Sequence, residues 1–390
     1  NDRGHHQPGV AGNQPPRLDL DLAAEIAQHA LDHRAVIGGK RRRFAWKRWC
    51  EIYGEDFGQP KGNPDAYNVN ILANLVDTMH AQIYKARVLP TPVTFGGSKE
   101  QQDRAKRLGR FNEGLLDSWS FFHDHQLRLG LFALVCGLGW FKESVSEKGI
   151  HAHVVAPWNV FIDEVEARAG NPRSLYQVDL YDRYTLLDDF GSEQRDGDYG
   201  KPDERSELIE AATTDSEMFS WQLDTSSDRI AVYEGWHLPT ATSSGRHVIC
   251  LHGGGTLVDE PWDIPMAPLI PLYAAIRLEG MYGQSAVAKI APGQRELDEL
   301  TEKLQRAHAL VGVPRIVGYK NSGISFDHLC DEIGSIVMVN QPGQEPKDWN
   351  ATPIHPEIYQ YRESVKGEMA QELGVSTYAA QSEVPAGLRQ

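Results

Sequence analysis

The chain has 390 residues, 54 acidic and 39 basic, for a formal net charge of −15, with 41% hydrophobic and 24% charged residues. That length can bury a sizeable core and divide into two or more structural units. No apolar run approaches the roughly 20 residues of a membrane-spanning helix, and the acid excess argues against a protein that grips nucleic acid on a basic face.

The excess is uneven: residues 1–150 carry 20 basic and 17 acidic side chains, the remainder 19 and 37. Cys50, Cys136, Cys250 and Cys330 are far apart and none sits in a CxxC pair, which fits free thiols in a reducing compartment. The His-, Gly-, Pro- and Asn-rich start has no secretory pattern. A soluble, unexported chain is expected, and Asn1 at its head reads as earlier residues absent or cleaved.

In chain order, residues 1–17 form an irregular arm and Leu20 to His33 a helix. Lys40 to Trp49 interleaves basic and aromatic side chains, a composition that suits phosphate or base contact. It equally suits a helix that buries Phe44, Ala45, Trp49 and Ile52 and leaves its bases wet, and that reading is preferred. After a Gly/Pro loop, helices are expected from Asn68 to Arg87, Gln101 to Trp119 and His123 to Val135, with a proline-held extended segment at Leu89–Phe95. Strands dominate Val154 to Tyr184 and Arg229 to Leu257. Between them, Asp188 to Asp228 is strongly acidic and reads as a surface excursion with a short helix at Pro202–Thr213.

The last third holds two polar helices. In the first, Ser285 to Val311, apolar Leu297, Leu300, Leu304, Ala307 and Val311 follow a heptad. In the second, Pro356 to Leu373, Ile358, Tyr361, Val365, Met369 and Leu373 recur at three- and four-residue steps. The intervening residues alternate apolar runs with turns. One thin seam per helix is not a core, so neighbours are needed, and a ring of identical neighbours is one solution.

Catalytic constellations do not assemble. His252-Gly253-Gly254-Gly255 looks like the oxyanion loop of a serine hydrolase, and the nearest candidate nucleophile elbow is at Ser285. However, Gly283-Gln284-Ser285-Ala286-Val287 lacks the second glycine of the nucleophile elbow. A hairpin turn between Arg246–Leu251 and Thr256–Val258 is the alternative. Gly312 to Lys320 has the wrong spacing for a phosphate loop. His151-x-His153 is a close histidine pair beyond the N-terminus, and reads as the polar face of a strand. No enzyme activity, metal or cofactor is expected.

The order of segments resembles the portal proteins, or head-to-tail connectors, of tailed bacteriophages, over roughly residues 40–390. The resemblance rests on Trp49-x-x-x-Tyr53-Gly54, Asn68-x-Asn70 before a helix, Arg87-x-x-Pro90, Leu134-Val135-x-Gly137-x-Gly139 and Pro157-x-x-Val160-Phe161-x-Asp163. It continues through Pro268–Tyr273, Tyr282-Gly283-Gln284-Ser285 before a long helix, and His355-Pro356 to Glu372-Leu373-Gly374-Val375-Ser376.

That resemblance implies an α+β portal fold that forms rings. Residues 1–39 would be an N-terminal arm and helix, and 40–284 an α-helical wing with a small β-rich unit at about 140–265. The first stem helix would span 285–311, an α/β clip 312–355 and the second stem helix 356–375. Residues 376–390 would begin a channel loop, the crown being absent or beyond residue 390. The family forms a ring, usually of twelve subunits, at one capsid vertex of the virion, after assembly in the host cytoplasm.

Double-stranded DNA passes through such a ring during packaging and ejection. Its other partners are the large terminase, head-completion or tail adaptor proteins, the major capsid protein and the scaffold; no membrane is involved. The implied channel-lining candidates are Glu357, Glu363, Glu368 and Glu372, with Arg362, Lys366 and Arg389 for transient phosphate contact. The implied seam between stems is Leu297, Leu300, Leu304, Val311, Val365 and Met369. A ring scaffold that never meets DNA is the remaining alternative.

Overall fold

The computed structural model describes residues 37–54, 69–85, 87, 89–146, 149–163, 165–169, 172–191, 204–212, 228–252, 255–278, 280–312, 315–317, 347–349 and 355–375. The fold is α+β, with two compact units: residues 1–59 with 76–288, and residues 60–75 with 289–390. The expected helix at Leu20–His33 lies outside the described residues, as does most of the acidic excursion.

The first unit begins with helices α1 (Ile37–Tyr53), α3 (Lys99–Ser118) and α4 (Gln126–Cys136), while α2 is Ile71–Tyr84. Ser98 starts α3 with a capping box, its hydroxyl accepting from the Gln101 N–H while the Gln101 side chain accepts from the Ser98 N–H. One turn of π-helix, Phe121–His125, leads directly into α4. Gly137 ends α4 at φ +88°, a left-handed cap that favours glycine.

Two antiparallel sheets follow. Strands β1 (Leu138–Ser146), β2 (Gly149–Val155) and β8 (Leu269–Tyr273) form one in the order β2-β1-β8. Strands β3 (Val160–Ile162), β4 (Ser174–Asp182), β5 (Arg229–His237), β6 (Gly245–Leu251) and β7 (Thr256–Trp262) form the other in sequence order. Period-two alternation sorts their side chains. Tyr176, Val178, Ala231, Tyr233, Val248 and Cys250 form one buried cluster with Phe161. On the other face of β5, Trp236 joins Leu138, Trp140, Val155 and Leu269 in a cluster that ties the two sheets together. Further along that face, Ile230 and Val232 pack with Leu186 and Ile209 from helices α5 (Arg183–Phe190) and α6 (Glu204–Ala211). Strands β6 and β7 pair as a hairpin, as the turn reading expects, with Gly255 just before β7; Gly253 and Gly254 lie outside the described residues.

Helix α1 corrects the expected buried face. Trp46 and Cys50 are its buried residues, whereas Phe44 is 72% exposed. The Trp46 indole N–H donates to the Cys136 carbonyl at 3.0 Å, and Arg42 stacks over the Tyr282 ring at 3.6 Å. The i, i+4 pair Trp46/Cys50 lies on the opposite side of the helix from Phe44. The partner groups on α4 decide which side is buried, and no local pattern carries that information.

In the second unit, helices α7 (Ala286–Gly312) and α8 (Pro356–Glu372) flank residues 313–355, within which β9 (Arg315–Val317) pairs antiparallel with β10 (Lys347–Trp349). Gln294 of α7 holds the start of α2. Its carbonyl accepts from the Leu72 N–H at 3.1 Å, and its amide donates to the Val69 carbonyl at 3.0 Å. With Asn70 accepting from the Ala73 N–H, two first-turn donors of α2 are satisfied.

Candidate functional site

The two helices of the second unit run antiparallel, because their side chains meet at both ends. Met369 sits over Gly293, where a Cβ would lie 2.7 Å from Met369 Cγ. At the other end the Tyr359 hydroxyl and His308 Nε2 are 2.6 Å apart. Between these contacts lies a cleft of about 590 Å³ lined by Leu300, Leu304 and Ala307 of α7 and Ile358 and Tyr361 of α8. Pro292 lies inside α7 and removes the N–H that would bond the Ala288 carbonyl.

Leu297, Leu300, Leu304, Val365 and Met369 are all buried within the single chain. Leu297, Leu300 and Leu304 of the heptad thus pack within the single chain, whereas Ala307 is half buried on the cleft. The side chain of Val311, like Arg389, lies outside the described residues. Exposed on these helices instead are Ile358, Tyr359 and Tyr361.

Glu357, Glu363, Glu368 and Glu372 are all exposed on α8. Local pairs moderate their charge: Lys366 reaches Glu363 at 2.7 Å, and the Ser364 hydroxyl donates to Glu368 at 3.2 Å. Arg362 is half buried, and among the described residues its Nε has no hydrogen-bond acceptor. On α7, Glu299 and Glu302 pair with Lys303 and Arg306 one turn later, a solvated surface worth a few tenths of a kcal/mol per pair. The described surface of these helices is thus mixed in sign on α7 and predominantly acidic on α8.

Ser285 is fully buried. Its hydroxyl donates to the Val135 carbonyl at 2.5 Å and accepts from the Ala288 N–H at 3.0 Å, which makes it the cap of α7. His252, the histidine of the glycine run, instead pairs with the Tyr233 hydroxyl at 3.0 Å. Of the residues behind the hydrolase alternative, Ser285 thus serves as a helix cap and His252 as the partner of Tyr233.

A charge network in the first unit escaped the sequence reading. Lys142 on β1 is 4% exposed and pairs with Glu234 on β5, its ammonium 4.9 Å from the Trp236 ring. His247 on β6 spans Glu234 at 3.0 Å and Glu260 at 2.8 Å, stacked on Trp236. Burial pushes the Glu234 carboxyl up, but Lys142 and His247 outweigh it and hold it below the usual range. Burial likewise pushes His247 down, and its two carboxylate partners carry it above its ordinary value. His153, opposite Lys142 in the β1–β2 register, is lowered to about 4 by burial and then by the Lys142 charge. These groups are spread over five strands, so spacing along the chain gives no sign of them.

Among the described residues no three His, Cys, Asp or Glu side chains group as a metal site requires, and no helix is long and apolar enough to cross a membrane. No family model matches the chain, and no curated protein matches it.

Proposed function

We propose that this chain is the protomer of a portal-type ring, a conduit for duplex DNA and a docking platform at a capsid vertex. The observation that carries the reading is the second unit's design: two antiparallel helices around an insert whose strands pair near its start and end. In this reading α7 and α8 are the stem, residues 313–355 form the clip that meets the terminase and then the tail adaptor, and the sheet-bearing unit is the wing. The seam is internal, so contacts between protomers fall on the exposed helix faces and on the wing.

Acidic side chains repeated around a ring give bands of negative potential that repel phosphates, so a duplex can slide without ion-pair traps. Glu357, Glu363, Glu368 and Glu372 supply that charge in this reading, with Arg362 and Lys366 as transient contacts. Motor ATP hydrolysis belongs to a separate protein.

The test is native mass spectrometry with electron-microscope class averages of the purified chain. A closed ring with a bore of about 20 Å or more, wide enough for B-form DNA, is expected. A chain that stays monomeric or dimeric at all concentrations, also when extended to its full gene product, overturns the reading. A closed ring with a bore too narrow for a duplex leaves the scaffold alternative.

A further inference from the structure

Three arginines converge in the first unit of a strongly acidic chain. Arg42 of α1, Arg168 of the short 3₁₀ turn before β4, and Arg277 after β8 line one cleft of about 280 Å³, with Tyr282 and Met281 in its wall. The Arg42 guanidinium is fixed over the Tyr282 ring, so one fork is already oriented. Arg168 and Arg277 are exposed, and among the described residues neither is tied to a carboxylate. Val165, 72% exposed, lines the cleft, and Ile276, 80% exposed, and Leu278, fully exposed, flank Arg277 in the chain. Cations rimmed by apolar side chains match a protein surface bearing carboxylates and apolar groups better than a bare phosphate backbone.

A surface of that kind exists on the same unit. Residues 188–228 hold 13 acidic and 3 basic side chains. Of the described part, Asp188 and Asp189 on α5 and Glu207 and Glu210 on α6 are exposed, with Tyr184 on α5 75% exposed. The two surfaces lie at opposite ends of β4. Arg168 belongs to the turn that precedes its start, where the Ser174 N–H donates to Glu166, whereas α5 begins directly after its last residue, Asp182. Nine strand residues separate them by about 27 Å. Complementary patches at opposite ends of one folded unit specify head-to-tail association, which closes into a ring when the rotation allows.

We infer that the Arg42/Arg168/Arg277 cleft binds carboxylates of the α5–α6 surface of a second copy of this chain. The inference rests on the ring reading and adds to it the contact between neighbouring wings.

The experiment uses the full chain in three forms: Arg168→Glu/Arg277→Glu, Glu207→Arg/Glu210→Arg, and all four substitutions together. Arg42 is left alone because it packs on Tyr282. Each pair of reversals places like charges face to face and should weaken assembly about a hundredfold at low salt. The fourfold variant restores attraction and should assemble again, as should an equimolar mixture of the two double variants. Circular dichroism and hydrogen exchange of β4 and β5 confirm that each variant is folded.

A wild-type ring that ignores every substitution overturns the inference and leaves the ring reading intact. Open, salt-sensitive oligomers repaired by the fourfold variant uphold the contact and overturn the closed ring. Loss of assembly only in the arginine variant overturns the choice of α5–α6 as partner. Retained rings with lost binding of a duplex DNA probe would assign the cleft to phosphate instead.

Discussion

Replacing Lys142 by Met tests the charge network that joins the two sheets. The side chains have similar volume, so packing against Trp236 is largely kept while the ammonium is removed. Glu234 would then keep His247 as its only cationic partner in a site that is almost closed to water. Removing one member of a buried pair costs about 3–5 kcal/mol, because the charge left behind stays desolvated. Denaturant unfolding followed by tryptophan fluorescence reads this locally, since Trp140 and Trp236 are both fully buried in the cluster between the sheets.

Adding Glu234→Gln neutralises the orphaned charge, so the double variant should lose less than the sum of the two single ones, by about 0.5–3 kcal/mol. Resolved imidazole titrations give a second readout. His247 lies above its ordinary 6.5, so its contribution is complete below that pH and lost as pH rises through the folded value. His153 lies at about 4, so it withdraws stability as pH falls below 6.5. Glu234, held below its ordinary 4.5, contributes above that value and loses its contribution as pH falls further. The two histidines act in adjacent windows, His153 below pH 6.5 and His247 above it, and NMR assigns each change to its own imidazole. In Lys142→Met the His153 titration should move up, because the cation that depresses it is gone. A loss below about 1 kcal/mol with both imidazoles unmoved would refute the reasoning.

Three further outcomes follow from the packing. Ser285→Ala should cost about 1–2 kcal/mol in thermal denaturation, since it removes the α7 cap and strands the Val135 carbonyl, and it should change no hydrolytic rate. Met369→Ala should destabilise the second unit by about 2–5 kcal/mol, read as faster amide exchange in α8. In that background Gly293→Ala should recover about 1 kcal/mol, whereas in the wild type the new methyl meets Met369 and the gain disappears. Gly283→Ala should cost about 3 kcal/mol or more by chemical denaturation, because a Cβ there would sit 1.9 Å from the Gly137 carbonyl oxygen.

The helices and strands were largely legible because their signals are local. The heptad marked α7, the prolines the extended stretch before α3, and the glycine run the β6–β7 hairpin. Gly137 and Gly283 stood out in the sequence as motif members, and the structure supplies the reason: two backbones touch where neither residue can carry a side chain. Partners were not legible. The seam of Leu297, Leu300 and Leu304 marked a packing face without saying whether the other side was a second chain or a helix some 60 residues on. Lys142, Glu234, His247 and Glu260 are likewise brought together by strand order and register alone, and the three-arginine cleft by turns from distant segments.

The sulfur atoms of Cys50 and Cys136 lie 3.9 Å apart, one on α1 and the other at the end of α4. Disulfide formation starts from a thiolate, and the bond to Cys50, together with burial, pushes the Cys136 thiol well up, so the closed pair stays idle. Exposure to water would remove that protection while leaving the two sulfurs tethered close together. The pair is thus a built-in recorder of opening: under mild oxidant, the rate of α1–α4 cross-linking measures how often the helices part, with no label attached to the protein.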